Sequence, residues 1–330
     1  MPRISRERLV EQFTAMFTRE GVSEGRAQRV AELYAQASAD GVHSHGAVFV
    51  PVLLDWVRRG LIADTENPPE RVGGFGAFER YDGLRGFGAL NAEFCMDRAM
   101  VLAEKHGVGA VGLRNTGHWG RPGNCGWRAA EKGFLAICWT NTWPVLPAWG
   151  GSKDAIGNNP IVFAVPGADG AHLVLDMALS QYSVGRLNTH RAEGIPLPVV
   201  GGADAKGNPT TDPAAILEGG KAWPAGFWKG SGLALMLDAF ASVLADGLTT
   251  SELAKTPEGL GVSQVFMAFA PQKIGAADPA ERTREIVRHL AEVNPECRYP
   301  GRAAWEERER SARDGVYVRS EIWEKLGLKP

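Results

Sequence analysis

Around residue 70 the hydrophobic pattern changes period, and this change constrains the fold more than any other feature of the chain. Before it, apolar residues recur every three or four positions: Leu9, Val10, Phe13, Met16 and Phe17 follow Ser5, and Ala27, Val30, Ala31, Tyr34 and Ala37 follow Ser23. That spacing places one apolar stripe on each of two helices, with a serine as N-cap. A third helix is predicted from Ala47 or Val48 to Gly60, because Pro51 is tolerated only in a first turn. Residues 61–69 read as a connector. Beyond it, strand patterns at 70–76, 77–82, 108–113, 134–140, 161–165, 173–177 and 262–269 alternate with helical patterns at 91–106, 122–132, 233–244 and 278–292. Alternation of this kind builds a mixed α/β layer. Helices at 303–313 and 320–326 finish the chain and are placed to return onto the first ones. The expected fold class is therefore α/β (α+β). A helical domain of residues 1–72, joined by 303–330, accompanies a mixed-sheet domain of residues 73–302. Residues 187–213 read as loop, longer than a compact domain usually tolerates, and are expected to form a lid or a dimer contact.

The bulk numbers exclude several classes of function. The chain has 330 residues, with 44% hydrophobic and 22% charged, as in soluble globular proteins. A net charge of −2 without a basic stripe gives nucleic-acid binding no electrostatic support. The first residues are too charged for a secretory signal, and no apolar run is long enough to span a membrane. The four cysteines, Cys95, Cys125, Cys138 and Cys297, have no metal-ligand spacing and point to reduced thiols in a cytoplasm.

Chemistry-bearing residues collect at a few places. Asp40-Gly41-Val42-His43-Ser44-His45-Gly46 lies between two predicted helices, with His45 at the start of the third. The positive end of a helix dipole disfavours imidazolium there and favours a nearby anion. A histidine titrating near neutrality is the usual general acid or base, although both histidines also read as ordinary loop residues behind a Ser44 cap. His118 follows a buried strand, where ligand-facing residues commonly sit in α/β proteins. Asp176 ends an apolar strand, so it either partners a group such as an imidazole or caps the next element. Lys229-Gly230-Ser231-Gly232 opens a helix and suits a phosphate, or is plain capping by Ser231. Asn141-Thr142 and Gly157-Asn158-Asn159-Pro160 flank strands and suit turns. Neither Gly86-Phe87-Gly88 nor Gly74-Phe75-Gly76 completes a Rossmann fingerprint, so any dinucleotide is bound by another scheme. His43 and His45 lack a carboxylate or thiol to complete a metal set, and no metal is expected.

Taken together, these segments resemble the type-2 malate/L-lactate dehydrogenases, NAD(P)-dependent oxidoreductases without a Rossmann fold. The resemblance runs nearly end to end. It includes residues 41–46, 115–119, 126–127, 129–133, 137–141, 157–160, 174–177, 197–202, 228–232 and 300–301 in order. It implies that His45 is the catalytic proton donor and that His118 lines the same cleft, with the acid/base role in some relatives. The same resemblance makes Val174, Leu175, Asp176, Met177, Ala178, Leu179, Ser180, Trp228, Lys229, Gly301, Arg302 and Ala303 the dinucleotide-contacting residues. It further implies a non-Rossmann cofactor domain over residues 73–302 and a homodimer with a cleft shared between subunits.

The reading that follows is reduction of the C2 carbonyl of a 2-oxo acid, with Ser44 bonding the carbonyl and Asp176 orienting His45. The first-choice substrate is a sugar-derived diketo acid such as 2,3-diketo-L-gulonate. Malate, lactate, sulfolactate, ureidoglycolate and a cyclic imino acid are alternatives. NADH is the preferred cofactor and NADPH stays open, since Arg302 suits a 2′-phosphate or the surface equally. Phe49 stands where relatives carry an arginine able to pair with a substrate carboxylate, which leaves Arg121 and Arg186 as candidate replacements. From other classes, a metal-dependent hydrolase using His43, His45 and His118 and a non-catalytic binding protein remain.

Overall fold

In the computed structural model, which describes residues 3–329, the first helices follow the sequence pattern closely. Helix α1 spans Arg6–Arg19 and is capped by Ser5, whose Oγ accepts from Arg8 N at 3.1 Å. Such a cap is worth about 1 kcal/mol. Helix α2 spans Glu24–Ala39. There Ser23 gives no side-chain cap; its own N–H donates to Glu66 Oε1 at 3.1 Å. Leu9, Phe13, Phe17, Ala27, Val30 and Ala31 are fully buried in one cluster that also holds Val316, Val318 and Leu328 from the other chain end. Arg3–Ile4 pairs antiparallel with Val316–Tyr317 and ties the two ends together.

The third helix starts later than expected. His43–His45 and Ala47–Phe49 are single 3₁₀ turns, and α3 spans Val50–Arg58 with Pro51 in its first turn. The cause is Gly46, where the chain runs against α2: a Cβ would collide with Ser38 Oγ and lie 2.8 Å from Ser38 N. Ser38 Oγ accepts from Ala47 N at 2.8 Å and fixes that approach. His45 consequently sits on a tight turn rather than at an α-helix N-terminus.

The main sheet has seven strands: β1 Glu70–Phe75, β2 Phe78–Asp82, β3 Val108–Thr116, β4 Leu135–Thr140, β5 Ile161–Val165, β6 Leu173–Met177 and β7 Val262–Phe269. Their order is β1-β2-β3-β7-β4-β5-β6. Only β2 and β3 are parallel, joined through α4, Gly88–His106. The other pairs are antiparallel, so this is a mixed sheet and no Rossmann sheet. Helix α4 and α5, Gly123–Glu131, cover one face through Met96, Leu113, Cys138, Val162 and Phe266. The opposite face packs on an apolar helix through Trp139, Ala234, Leu237, Ala241 and Val265.

Residues 187–213 depart from expectation. Ser183 caps α6, Val184–Glu193, with Oγ accepting from Arg186 N at 3.2 Å. Gly202–Ala203 pairs with both Pro209–Thr210 and Lys221–Ala222, and α7 spans Pro213–Leu217. Leu187, Leu197 and Ile216 form a small core of their own. The sequence VGRLNTHRAE buries only Leu187 and His190, too few to show a period. The apolar helix is α8, Trp228–Ala245, which begins five residues before the predicted start. Ser231 lies inside it and accepts from Trp149 N at 3.0 Å, so it is no cap. The stop is Asp246, left-handed at φ 54°, one residue before the expected Gly247. A short α9, Thr250–Leu253, then α10, Pro279–Val293, α11, Arg302–Asp314, and α12, Ser320–Leu326, complete the chain.

Candidate active site

A cavity of about 1250 Å³ opens between the 3₁₀ turns, the strand ends and the start of α11. Its size exceeds the usual 300–1,000 Å³ of a small-molecule pocket, so it has room for a large ligand and a small one together. His45 and His118 both line it. The two imidazoles are stacked, with centroids 5.6 Å apart and planes 15° apart. His45 Nδ1 shares a hydrogen bond of 2.9 Å with Ser44 Oγ. His118 Nδ1 accepts from Gly120 N at 3.1 Å, so in the neutral ring the proton is on Nε2. Burial, and after it the Arg121 guanidinium, lowers the pKa of His45 to about 4. Burial and His45 lower that of His118 to about 3. At neutral pH both rings are therefore uncharged. Phe49 closes this wall, 4.8 Å from His118 and stacked on Tyr34 at 6.1 Å.

Asp176 is not bonded to His45. Its Oδ2 accepts from Gly123 N at 2.8 Å, the first turn of α5, where the helix dipole favours an anion. The carboxylate is ringed by protein yet open to the cavity. Burial raises its pKa, while Arg121 and the Gly123 N–H pull the other way. The sequence offered an imidazole or a capping role for Asp176; the geometry places it at a helix N-terminus beside, not behind, the histidines.

Arg121 is buried, with Nη1 donating to Asp40 Oδ2. Arg308 reaches the same carboxylate, with Nε to Oδ1 and Nη2 to Oδ2 both at 2.8 Å. Burial alone would raise the Asp40 carboxyl, but the two guanidiniums outweigh it and hold it below the ordinary range. Arg186, the other candidate cation, is exposed on α6 and does not line the cavity.

Of the residues that the resemblance assigned to a dinucleotide, Val174, Asp176, Ala178, Ser180, Gly301 and Ala303 line the cavity. Leu175 and Met177 alternate to the other face of β6. Leu179 is buried with Trp139 and Leu237 beyond the sheet. Trp228 and Lys229 are exposed at the start of α8, the ammonium 5.9 Å from the indole centroid, and do not reach the cavity. Arg302 donates from Nε to Glu306 Oε1 at 2.7 Å. Gly301, at φ +96°, lets the chain pass close to β6: a Cβ would lie 3.0 Å from Val174 N and from His172 O.

This backbone approach, the N-terminus of α11 behind it, which has no side-chain cap, and the size of the cavity fit an extended dinucleotide. Sequence reading missed Gln264. It is fully buried on β7 and lines the cavity, and neither amide atom has a partner among the described residues. Its one signal is a bulky amide side chain, next to Ser263, inside an otherwise apolar strand. Asn158 Oδ1 accepts from Thr142 Oγ1 at 3.0 Å on the cavity wall, whereas Asn159 donates to Ala234 O of α8 at 2.8 Å. Among the described residues no three metal-capable side chains converge, and His43 instead packs edge-on against Tyr317 at 5.3 Å. The hydrolase alternative thus has no ligand set here.

Known proteins share this architecture. The chain is 37% identical over 334 residues to a 2,3-diketo-L-gulonate reductase of Citrobacter koseri, covering 98% of this chain and 99% of that protein. Its fold superimposes on a Δ1-piperideine-2-carboxylate reductase from Pseudomonas syringae pvar. tomato with a TM-score of 0.88, 31% identity and 99% of each chain covered. A sulfolactate dehydrogenase from Methanocaldococcus jannaschii gives 0.82 and 26%, with 99% and 98% covered. Residues 4–327 match the family described as malate/L-lactate dehydrogenase, and the chain belongs to that family of oxidoreductases.

Proposed function

We propose that the protein reduces the C2 carbonyl of a 2-oxo acid with NADH, and that a sugar-derived diketo acid such as 2,3-diketo-L-gulonate is its substrate. The observation that carries this reading is the meeting of two stacked imidazoles, a buried guanidinium and a glycine-lined backbone cradle on one large cavity. When bound, the reduced nicotinamide supplies the hydride taken by the carbonyl carbon. His45 gives a proton from Nε2 to the developing alkoxide. Ser44 accepts from Nδ1 of the imidazolium and so keeps Nε2 directed to the ligand. General acid help of this kind is worth about 10²–10⁴ in rate. NADPH is the second choice of cofactor, since the exposed Arg3, Arg298, Arg310 and Arg319 line the cavity and suit a 2′-phosphate.

A second substrate reading, reduction of C=N in a cyclic imino acid, is favoured by Phe49. Its ring gives the histidine wall an apolar surface against which a saturating ring would pack. Titrating NADH and NADPH by fluorescence, then following absorbance loss with 2-oxo and cyclic imino acids, tests both. Oxidation with one substrate assigns cofactor and class together. Failure of folded protein to bind either nucleotide ends the reading.

The assembly we propose is a homodimer, packed through the outer face of α8. Leu235, Met236, Phe240 and Val243 are 52%, 54%, 52% and 75% exposed there, an apolar stripe that a monomer would leave in water. The cytoplasm is the proposed compartment: all four cysteines are free thiols, three of them buried, and no described helix is long and apolar enough to cross a membrane.

A further inference from the structure

A guanidinium has five N–H donors in a planar fork, and only part of that of Arg121 is used. Nη1 is bonded to Asp40. Nε is buried without a partner, and Nη2 makes no hydrogen bond among the described residues. Asp40 cannot serve this second edge, because its two oxygens already accept from Arg308 at 2.8 Å each. An unmet buried donor is destabilising, and more so on a charged group, so an unpaired edge at this depth is a standing demand for an acceptor.

Arg121 lines the cavity with His45, His118 and Asp176. It is the one buried cation among the described residues that do so; Arg3, Arg298, Arg310 and Arg319 are exposed. Gly123 keeps the space beside Nε clear, since a Cβ there would lie 3.3 Å from Nε and 2.7 Å from Asp176 Oδ2. Asp176 stands beside this edge, and burial raises its carboxyl pKa; farther round the cavity Phe49 packs on His118 at 4.8 Å and stacks on Tyr34. Two parallel N–H donors at fixed spacing match the two oxygens of a carboxylate.

From this geometry we infer that the Nε/Nη2 edge of Arg121 receives the carboxylate of the substrate and so sets the selectivity of the site for 2-oxo acids over their neutral esters and amides. The inference rests on the reductase reading for its substrate, but the edge itself is testable without turnover. Asp40, itself fixed by Arg308, holds the guanidinium from behind, and the acid's C2 atom then lies on the histidine side of the cavity.

The experiment has two arms. Calorimetry with oxamate, with and without NADH, reads the anion site alone. The wild type binds it, and Arg121→Lys, which keeps a cation beside Asp40 but loses the fork, weakens binding about 100-fold, the effect of one or two charged hydrogen bonds. Oxamate binding that is absent in the wild type, or unchanged in Arg121→Lys, overturns the inference. In the second arm, kcat and KM are measured for the acid and its methyl ester. The wild type prefers the acid, and Arg121→Lys raises KM for the acid more than it lowers kcat and abolishes the preference. Equal kcat/KM for acid and ester in the wild type overturns the inference even if every Arg121 variant fails to fold. Loss of nucleotide binding with oxamate binding retained would fault the reductase reading and leave the anion site standing.

Discussion

His45 and His118 stack face to face at 5.6 Å, and burial, with His45 after it, keeps the His118 ring uncharged. A proton on one sits beside the other in a poorly solvated wall. Loading His45 as an acid therefore requires a nearby negative charge, and an anion seated on Arg121 removes the cation that opposes protonation. In the substrate complex, the kcat–pH profile should show a limb well above the value near 4 of the free protein. A limb that stays near 4 with saturating substrate would exclude His45 as the proton donor.

His45→Ala should lower kcat by about 10²–10⁴ and leave nucleotide affinity within a few-fold, since the ring acts on the carbonyl oxygen and not on the cofactor. His118→Ala should have the smaller effect. The reverse ranking in steady-state assays would move the acid to His118.

The same burial makes stability depend on pH in a set direction. Both imidazoles have folded pKa values below the ordinary 6.5, at about 4 and about 3. The unfolded chain therefore binds more protons than the folded one between roughly pH 3 and 6.5, and stability falls as pH is lowered through that window. Thermal melts at stepped pH should show this loss, and a His45→Gln, His118→Gln double variant should flatten it. Slopes identical to the wild type would mean that water in the cavity solvates both rings.

Gly46→Ala should destabilise the fold by about 1–3 kcal/mol, the range of an overpacked site. The added methyl would lie 2.8 Å from Ser38 N, and α2 cannot yield there without shifting Ser38, whose Oγ holds Ala47. Urea titration gives the change in midpoint. Because the turn also carries His45, activity should fall further than the unfolded fraction explains.

Pairing Met236→Asp with Phe240→Asp on α8 places carboxylates on the exposed apolar stripe while leaving Leu237 and Ala241 in the core. Sedimentation should then show a monomer where the wild type is a dimer. A wild type that is itself monomeric would leave that stripe without its proposed occupant.

What the sequence showed and what it hid separate by range. Residues 161–165, 173–177 and 262–269 were legible as strands to the residue, because β-branched and aromatic runs bounded by turn residues have few other solutions. His45 and His118 were legible as candidates from their positions beside predicted elements. The partner of Asp176 was not. Gly123 N is a backbone donor 53 residues away and leaves no trace in side-chain type. Nor was the cluster of Asp40, Arg121 and Arg308, whose members are separated by 81 and 268 residues along the chain from Asp40. Gln264 announced itself only as a misfit in an apolar strand, and α6 hid because so little of it is buried.

The pairing of Arg3–Ile4 with Val316–Tyr317 fixes an order of events during synthesis. Leu9, Phe13 and Phe17 emerge from the ribosome well before part of the surface that covers them, since Val316, Val318 and Leu328 follow the whole main sheet in sequence. Contacts so distant in sequence form slowly, and for most of translation the first helices carry an incompletely covered apolar face. Premature termination anywhere before residue 316 would therefore release a chain prone to associate through its beginning rather than its broken end.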